Sequence, residues 1–534
     1  MSGLRPNWLK MQRLLHARYE AVCGLPDASH LAVLRGPKTR MSEAEWAELW
    51  KTAPTEGMNH LYLHVPFCKS ICTFCNYTRL RPSSPDQLAE WLQRVLRSID
   101  TIGPATSELE FHSLYLGGGT PSVLPAPMLD TVLTALRNGF QWHSSAGRHM
   151  ELDPQVISTG RIEVLAKHGF NHYSFGVQTL DVDVNLAHNR GSQDREAVRR
   201  CFSMLRGAGS IHCDFLLGLD GTDPSGILTE IETVLQEEDP DTVDLFEIIP
   251  TEAYMQGHFG GDRDRFEAYL EPFRREIGPA LKEIAARNAR RVQGLGRHSY
   301  KLVRHPPKTT GFGRYGYTQL AHIEGQAVNL LGIGPSARSR IFGVAAMEAV
   351  APEDREAPHF YEGDRGGREG ELQVYLAHVL RDHDEVSFSA LEALFGGNVR
   401  EKLALPLASW EAEGLATVGA DQISMPAMDG PARVRALLWL LRTEHLEHEI
   451  ARTLGLPLAH WVANARVPIG DWKISGSEGT RLHLARGDDR VVLRLAPSLT
   501  DNGARWVVET GGEHARDQGL RRAVTGLRRE LPRK

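Results

Sequence analysis

Residues 61–80 read LYLHVPFCKSICTFCNYTRL. A short apolar strand, Leu61 to Val65, runs through Pro66 into a loop that carries Cys68, Cys72 and Cys75 in the spacing C-x3-C-x2-C. No fourth cysteine lies close by. Iron–sulfur clusters are held by thiolates, and a cluster of four irons ordinarily takes four of them. Three ligands therefore leave one iron open to a substrate or cofactor. Zinc sites are built from paired C-x2-C or Cys/His units, and no second pair exists here, so the spacing favours the cluster over a zinc knuckle or plain buried thiols.

Outward from this loop, the pattern between residue 61 and about 250 alternates between strand-like and helix-like runs. The expected strands are Leu61–Val65, Ser113–Leu116, His149–Leu152, His172–Val177, Ile211–Leu217 and Val243–Ile249. Leu88, Trp91, Leu92, Val95, Leu96 and Ile99 fall on one face of a helix between the first two, and Val198, Cys201, Phe202 and Leu205 repeat the pattern before the fifth. Strands separated by helices, with right-handed crossovers, predict an α/β fold: a parallel sheet curling into a partial (β/α)6 barrel with strands buried on both faces. In such barrels the site lies at the C-terminal ends of the strands. Chemistry-bearing residues recur there: Gly117-Gly118-Gly119-Thr120-Pro121, Glu151, Gln178, Arg190 in a following loop, and Asp214.

The cysteine triplet after Tyr62-x-His64-x-Pro66-Phe67 resembles the radical S-adenosylmethionine (SAM) enzymes, in particular the branch typified by oxygen-independent coproporphyrinogen III oxidase. The resemblance implies that Cys68, Cys72 and Cys75 hold a 4Fe–4S cluster whose open iron chelates SAM, and that an electron from the cluster cleaves SAM to methionine and a 5′-deoxyadenosyl radical. It assigns Tyr62, the Gly117-Gly118-Gly119-Thr120 turn, Glu151, Gln178, Arg190 and Asp214 to SAM. In that assignment the glycine turn holds the methionyl amine, Glu151 the amine or ribose, Gln178 the ribose, Arg190 the carboxylate and Asp214 the adenosine side. A planar guanidinium suits a carboxylate because it pairs in a fixed fork. Gly316-Tyr317-Thr318 and Leu330-Leu331-Gly332-Ile333-Gly334-Pro335-Ser336-Ala337 are similar to segments of the same oxidases. An electron donor such as flavodoxin or ferredoxin is implied as a partner.

Composition bounds the alternatives. The chain has 534 residues, with Lys plus Arg at 61 against Asp plus Glu at 67, a net charge of −6. That balance gives no general affinity for nucleic acid or membrane surfaces. No apolar run reaches the length of a membrane span and the N-terminus lacks a signal-peptide core, so a cytoplasmic location is expected. Cys23, Cys201 and Cys213 read as small packed hydrophobes. Side-chain alternation along the fifth strand puts Cys213 toward the helices if Asp214 faces the cavity.

The expected organisation is a helical N-terminal extension (1–55), the radical SAM core (56–260), an oxidase-like core extension (261–369), a winged-helix-like module (370–428) and an additional α+β domain (431–534). In the extension, the helix from Glu43 to Leu49 is expected across the barrel opening. The winged-helix outline reads as a lid rather than a DNA reader, because it carries little basic excess. In 431–534, Leu437, Leu438, Leu441, Ile450 and Leu454 imply packed helices, and a basic helix with Arg521-Arg522 and Arg528-Arg529 closes the chain.

Three departures separate the chain from the oxidases it resembles. Tyr77 stands where they carry a further cysteine, their Arg-Tyr-Thr-Ser-Tyr-Pro-Thr motif is absent, and Pro-x-Gln-Thr after the fifth strand is replaced by Asp220-Gly221-Thr222-Asp223. On the first two, and the extra C-terminal domain, the sequence reading favours methylation or another one-carbon modification of a small-molecule or peptide-derived substrate. Class C radical SAM methyltransferases of the same lineage bind two SAM molecules. The alternatives are a tetrapyrrole enzyme, decarboxylating or haem-modifying, and a non-catalytic haem chaperone.

Overall fold

The computed structural model describes residues 39–191, 193–294, 299–305, 325–351, 358–412, 414–426, 436–437, 471–478, 480–497 and 504–510. They fall into two compact units, one within Arg35–Arg368 and one within Glu369–Lys534. Cys23, Gly316-Tyr317-Thr318, Leu438, Leu441, Ile450, Leu454 and the basic run 521–529 lie outside the described residues.

The first unit begins with strand β1 (Thr39–Ser42) and helix α1 (Glu43–Trp50). Ser42 and Glu45 close a capping box at the helix start, each satisfying a backbone N–H that the first turn leaves free. Six parallel strands then follow as immediate neighbours: β2 (Met58–Val65), β3 (Glu110–Gly118), β4 (Gln141–Leu152), β5 (His172–Gln178), β6 (Ser210–Leu217) and β7 (Thr242–Glu247). Their crossovers carry α2 (Pro85–Ile102), α3 (Ala126–Gly139), α4 (Thr159–Lys167), the short α5 (Val182–Ala187), α6 (Arg195–Leu205) and α7 (Pro224–Glu237). After β7 come α8 (Glu252–Phe259) and α9 (Arg263–Arg287).

The sheet grows at both edges. β8 (Arg290–Gly294) and β9 (Tyr300–Arg304) add antiparallel to β7. On the other side β10 (Val328–Ile333) adds parallel to β2, and β11 (Arg338–Ile341), β12 (Ala345–Val350) and β13 (Phe360–Asp364) continue antiparallel to β1. Among the described residues the sheet has thirteen strands with β1 and β8 at its ends, so the barrel is open.

The two faces of the strands differ in chemistry, which corrects the expectation of apolar runs buried on both sides. Residues alternate between faces. Leu61, Leu63, Leu114, Leu116, Met150, Phe175, Cys213, Phe215, Val243 and Leu245 belong to the apolar core shared with the helices. The alternate residues are His60, Tyr62, His64, Ser113, Tyr115, His149, Glu151, Ser174, His212, Asp214 and Asp244. A barrel that holds a polar ligand needs such a lining.

Helix α1 corrects a second expectation. Its buried Trp46, Ala47 and Trp50 do not cross the barrel mouth. Trp46 stacks on Tyr361 of β13 with ring centroids 5.3 Å apart, and Glu43 accepts a hydrogen bond from Ser98 in the final turns of α2. A crossover helix runs back against its strands, so the end of α2 marks the side of the barrel opposite the strand C-termini.

In the second unit, α10 (Gly367–Asp382) leads to β14 (Glu385–Ser387), α11 (Phe388–Phe395), α12 (Val399–Lys402), α13 (Ala404–Ala412), β15 (Thr417–Val418) and β16 (Gln422–Ser424). The three strands pair in the order β14-β16-β15, a winged-helix outline. β17 (Lys473–Glu478), β18 (Arg481–Arg486), β19 (Asp489–Pro497) and β20 (Ala504–Thr510) form an antiparallel meander. No helix among the described residues is long and apolar enough to cross a membrane.

Candidate active site

The cysteine loop follows β2 and is tied down at several points. Cys68 N donates to Leu80 O at 3.0 Å, Leu80 N to Pro66 O at 2.7 Å and Thr73 N to His188 O at 3.1 Å. The glycine turn after β3 lies directly against it, with Gly119 N donating to Val65 O at 2.8 Å and Thr120 N to Phe67 O at 2.7 Å. Gly118 has φ of 114°, a conformation that side chains disfavour. At Gly119 the constraint is space, since a Cβ there would stand 2.6 Å from Phe67 O and 3.0 Å from Cys68 Sγ.

All three thiols of the loop are half-buried and none is in a disulfide. Among the described residues, no three His, Cys, Asp or Glu side chains converge as ligands of one metal ion would. Two polar groups point at the sulfurs. Thr120 Oγ1 donates toward Cys68 Sγ at 3.5 Å, and Arg190 Nη1 is 4.0 Å from Cys72 Sγ. Burial pushes the Cys68 thiol up to about 11, against the pull of Thr120. Burial also raises Cys72, with Arg190 drawing it back down. Thiolate ligation at this loop therefore releases protons.

The residues assigned to SAM gather around the same mouth. Tyr62 is buried, with its hydroxyl 3.0 Å from His64 Nδ1. Glu151 accepts from Tyr115 OH at 2.8 Å and from Gly118 N at 3.1 Å, so its carboxylate also braces the glycine turn. Burial raises the Glu151 carboxyl, and those two hydrogen bonds partly offset the rise. A Cβ at Gly117 would meet this carboxylate at 2.9 Å. Gln178 adopts φ of 66°, unusual away from glycine. Its Oε1 is buried without a hydrogen-bond partner. Arg190 donates to Gly176 O and, at 3.2 Å, to Gln193 Oε1, while its Nε is buried and unpartnered.

Asp214 is half-buried on the polar face of β6. Burial, then the nearby Asp244 and Glu151 carboxyls, hold it well above the ordinary carboxylate range, with Lys301 and Arg190 acting against them. Cys213, its neighbour on the strand, is fully buried in the core, as the alternation requires.

Sequence reasoning missed several residues of this site. Asp244 on β7 forms an ion pair with Lys301 on β9, Nζ to Oδ2 3.3 Å. Both are largely buried. The strand-end rule located Asp214 but gave no reason to extend the same row through Asp244 to an antiparallel neighbour. The register Gly176–Asp214–Asp244–Lys301 reveals it. Tyr115, two positions before the glycine turn, lies on the lining face and holds Glu151.

Taken together, these groups fit a cluster held by three thiolates with SAM on its open iron. Three free thiols lie in one loop, glycines leave no room for side chains against it, and a buried acceptor and a buried guanidinium N–H stand without partners beside it. Residues 62–234 match the family model described as the Radical SAM superfamily. The chain is 29% identical over 397 residues to the oxygen-independent coproporphyrinogen III oxidase of Paracoccus denitrificans, covering 71% of this chain and 81% of that protein. It is also 29% identical over 188 residues to the enzyme of the same name from Salmonella typhimurium, where the match spans 41% of that protein. The structure of coproporphyrinogen III oxidase from Escherichia coli, described as a radical SAM enzyme, superposes with a TM-score of 0.61 at 21% identity, covering 76% of this chain and 95% of that one. Residues 62–234 thus carry a radical SAM domain, of the family whose members use a 4Fe–4S cluster and SAM, and the chain around it is similar to oxygen-independent coproporphyrinogen III oxidases.

Proposed function

We propose that this chain oxidatively decarboxylates a reduced tetrapyrrole of the coproporphyrinogen class. The observation that supports this reading is the relationship to the Paracoccus coproporphyrinogen III oxidase, which extends over 81% of that protein and so well beyond the SAM-binding core. It displaces methyl transfer, the reading favoured from sequence, as the first choice. When bound, the cluster and SAM supply a carbon radical that takes a hydrogen atom from a substrate C–H bond.

The protein's own contribution is placement and exclusion of competitors. Cys68, Cys72 and Cys75 would hold the iron, and Arg190 would offer its free Nε–H toward a carboxylate. Gly118 and Gly119 let the backbone come close to the ligand, and Gln178 Oε1 waits for a hydroxyl donor. Asp214, its carboxyl raised by burial and its acidic neighbours, faces the adenosine side of the cofactor. A flavodoxin- or ferredoxin-type protein supplies the electron.

Methyl transfer stays as a second reading because Tyr77, 69% exposed, stands where the oxidases carry a further cysteine. Product analysis separates the two. Anaerobically reconstituted protein given reductant, SAM and coproporphyrinogen III is expected to form 5′-deoxyadenosine and carbon dioxide without S-adenosylhomocysteine. Formation of S-adenosylhomocysteine with a methylated product, and no carbon dioxide, would overturn the proposal.

A further inference from the structure

His188 is fully buried and holds three segments together. Its carbonyl accepts from Thr73 N at 3.1 Å, in the cysteine loop between Cys72 and Cys75. Its ring Nδ1 is 2.7 Å from Thr73 Oγ1, and its Nε2 is 2.8 Å from the carbonyl oxygen of Asp220, in the loop after β6. A carbonyl only accepts, so Nε2 carries the proton. Burial pushes the imidazole down, in the direction that favours the neutral ring. Nδ1 is then the acceptor and the Thr73 hydroxyl the donor.

The next two residues complete the arrangement. Asn189 takes the left-handed conformation, φ 56°, which asparagine tolerates better than most side chains. The turn brings Arg190 back to the same loop, with Nη1 4.0 Å from Cys72 Sγ. On its other side His188 joins a ring stack: Phe74 at 6.0 Å, Tyr254 at 5.8 Å and His258 at 4.4 Å between centroids. Tyr254 and His258 belong to α8 and both also hold Asp220. Tyr254 OH accepts from Asp220 N at 2.9 Å, and His258 Nδ1 is 3.1 Å from Asp220 Oδ2. Asp220, where the related oxidases have proline, is thereby anchored from three sides.

We propose that His188 is a positioning residue: braced by Asp220 and α8, it fixes the cysteine loop through Thr73 and so sets how the open iron is presented to SAM. The Thr73 hydroxyl is adjacent in sequence to the Cys72 ligand. With His188 as its acceptor it is kept from the sulfurs, and Arg190 remains the donor facing Cys72. Hydrogen bonds at cluster sulfurs set reduction potential, and groups that orient metal ligands affect affinity strongly when removed.

This inference rests on the cluster and SAM, not on the tetrapyrrole substrate, so its test uses reconstituted full-length protein without substrate. Equilibrium dialysis gives the Kd for SAM, and a reductive titration gives the midpoint potential of the cluster. His188→Ala is expected to retain its iron through the three thiolates, to bind SAM up to about tenfold more weakly, the affinity that one lost hydrogen bond can cost, and to shift the potential. Thr73→Val is expected to do the same, and the double variant to be no worse than either single, since both remove one interaction. His188→Asn, which keeps an acceptor for Thr73, is expected to recover part of the affinity. Wild-type Kd and potential in His188→Ala, or additive effects in the double variant, would overturn the proposal. Should His188→Ala fail to fold, Thr73→Val decides alone: an unchanged Kd and potential sink the idea.

Discussion

At the scale of single residues, the contact between Gly119 and the cysteine loop constrains the site most tightly. A methyl group at Gly119 meets backbone atoms of Phe67 and Pro66 at 2.6 and 2.9 Å, and neither is the movable end of a side chain. Gly119→Ala is therefore expected to displace the loop and to lose most bound iron after anaerobic reconstitution, measured by iron and sulfide content. Cys201 provides the contrasting case. It is fully buried among core residues on α6, away from the loop. Cys201→Ala should keep iron and SAM cleavage and cost about 1 kcal/mol of stability, the order expected for a small core deletion, as read by chemical denaturation. The sequence made both roles legible, the first because three glycines at a strand end leave the backbone unrestricted, the second because helical periodicity buries position 201. It did not disclose that Glu151 braces Gly118 or that Lys301 reaches Asp244, since both depend on which strands are neighbours.

At the scale of elements, the order of the six parallel strands and their crossover helices followed from hydrophobic period and crossover length, and those six strands begin and end within a few residues of expectation except β4, which starts earlier at Gln141; the strands added at both edges were not expected. Helix α1 was legible as a helix from Glu43 to Leu49, but its partner was not, because an amphipathic face does not say what covers it. Its Trp46 packs at the far side of the barrel. Trp46→Ala should lower stability by about 3–5 kcal/mol while leaving the Kd for SAM unchanged. A weakened Kd would mean that α1 does reach the site.

The polar lining of the strands makes a further prediction at this scale. Burial pushes His60 and His212 down to about 3 and His64 to about 4, and lowers His149 well below its ordinary value. These bases stay neutral in the folded chain and charge near 6.5 when unfolded. Below pH 6.5 the unfolded chain takes up the protons, so stability is full above that value and is lost as pH falls. Each histidine contributes about 1.4 kcal/mol per pH unit. The raised carboxyls of Asp214, Asp244 and Glu151 work in the opposite sense, but these four histidines outnumber them. Stability should thus decline between pH 6.5 and 5, and His212→Asn should flatten that decline by about 1.4 kcal/mol per unit. Denaturant titrations across this range check it, and an unaltered slope in the variant would count against a neutral buried His212.

At the scale of the whole molecule, one feature of the first unit dominates: the residues assigned to the cofactors come from the C-terminal halves of parallel strands or the segments that follow them, where helices on the outer face cannot obstruct a ligand. Such an arrangement serves many radical reactions, and fold alone does not choose among them. The choice of substrate was not legible in the sequence for that reason. Tyr77 and the missing N-terminal motif pointed toward methyl transfer, whereas the tetrapyrrole proposal rests on the extent of the similarity to coproporphyrinogen III oxidases. The reaction proposed depends on a cluster with one iron open to SAM. Electron paramagnetic resonance of the anaerobically reconstituted, reduced protein tests that most directly. The wild type should show a reduced 4Fe–4S signal that changes when SAM is added, and Cys72→Ala should show neither. An absent signal in the wild type, or a signal indifferent to SAM, would contradict it.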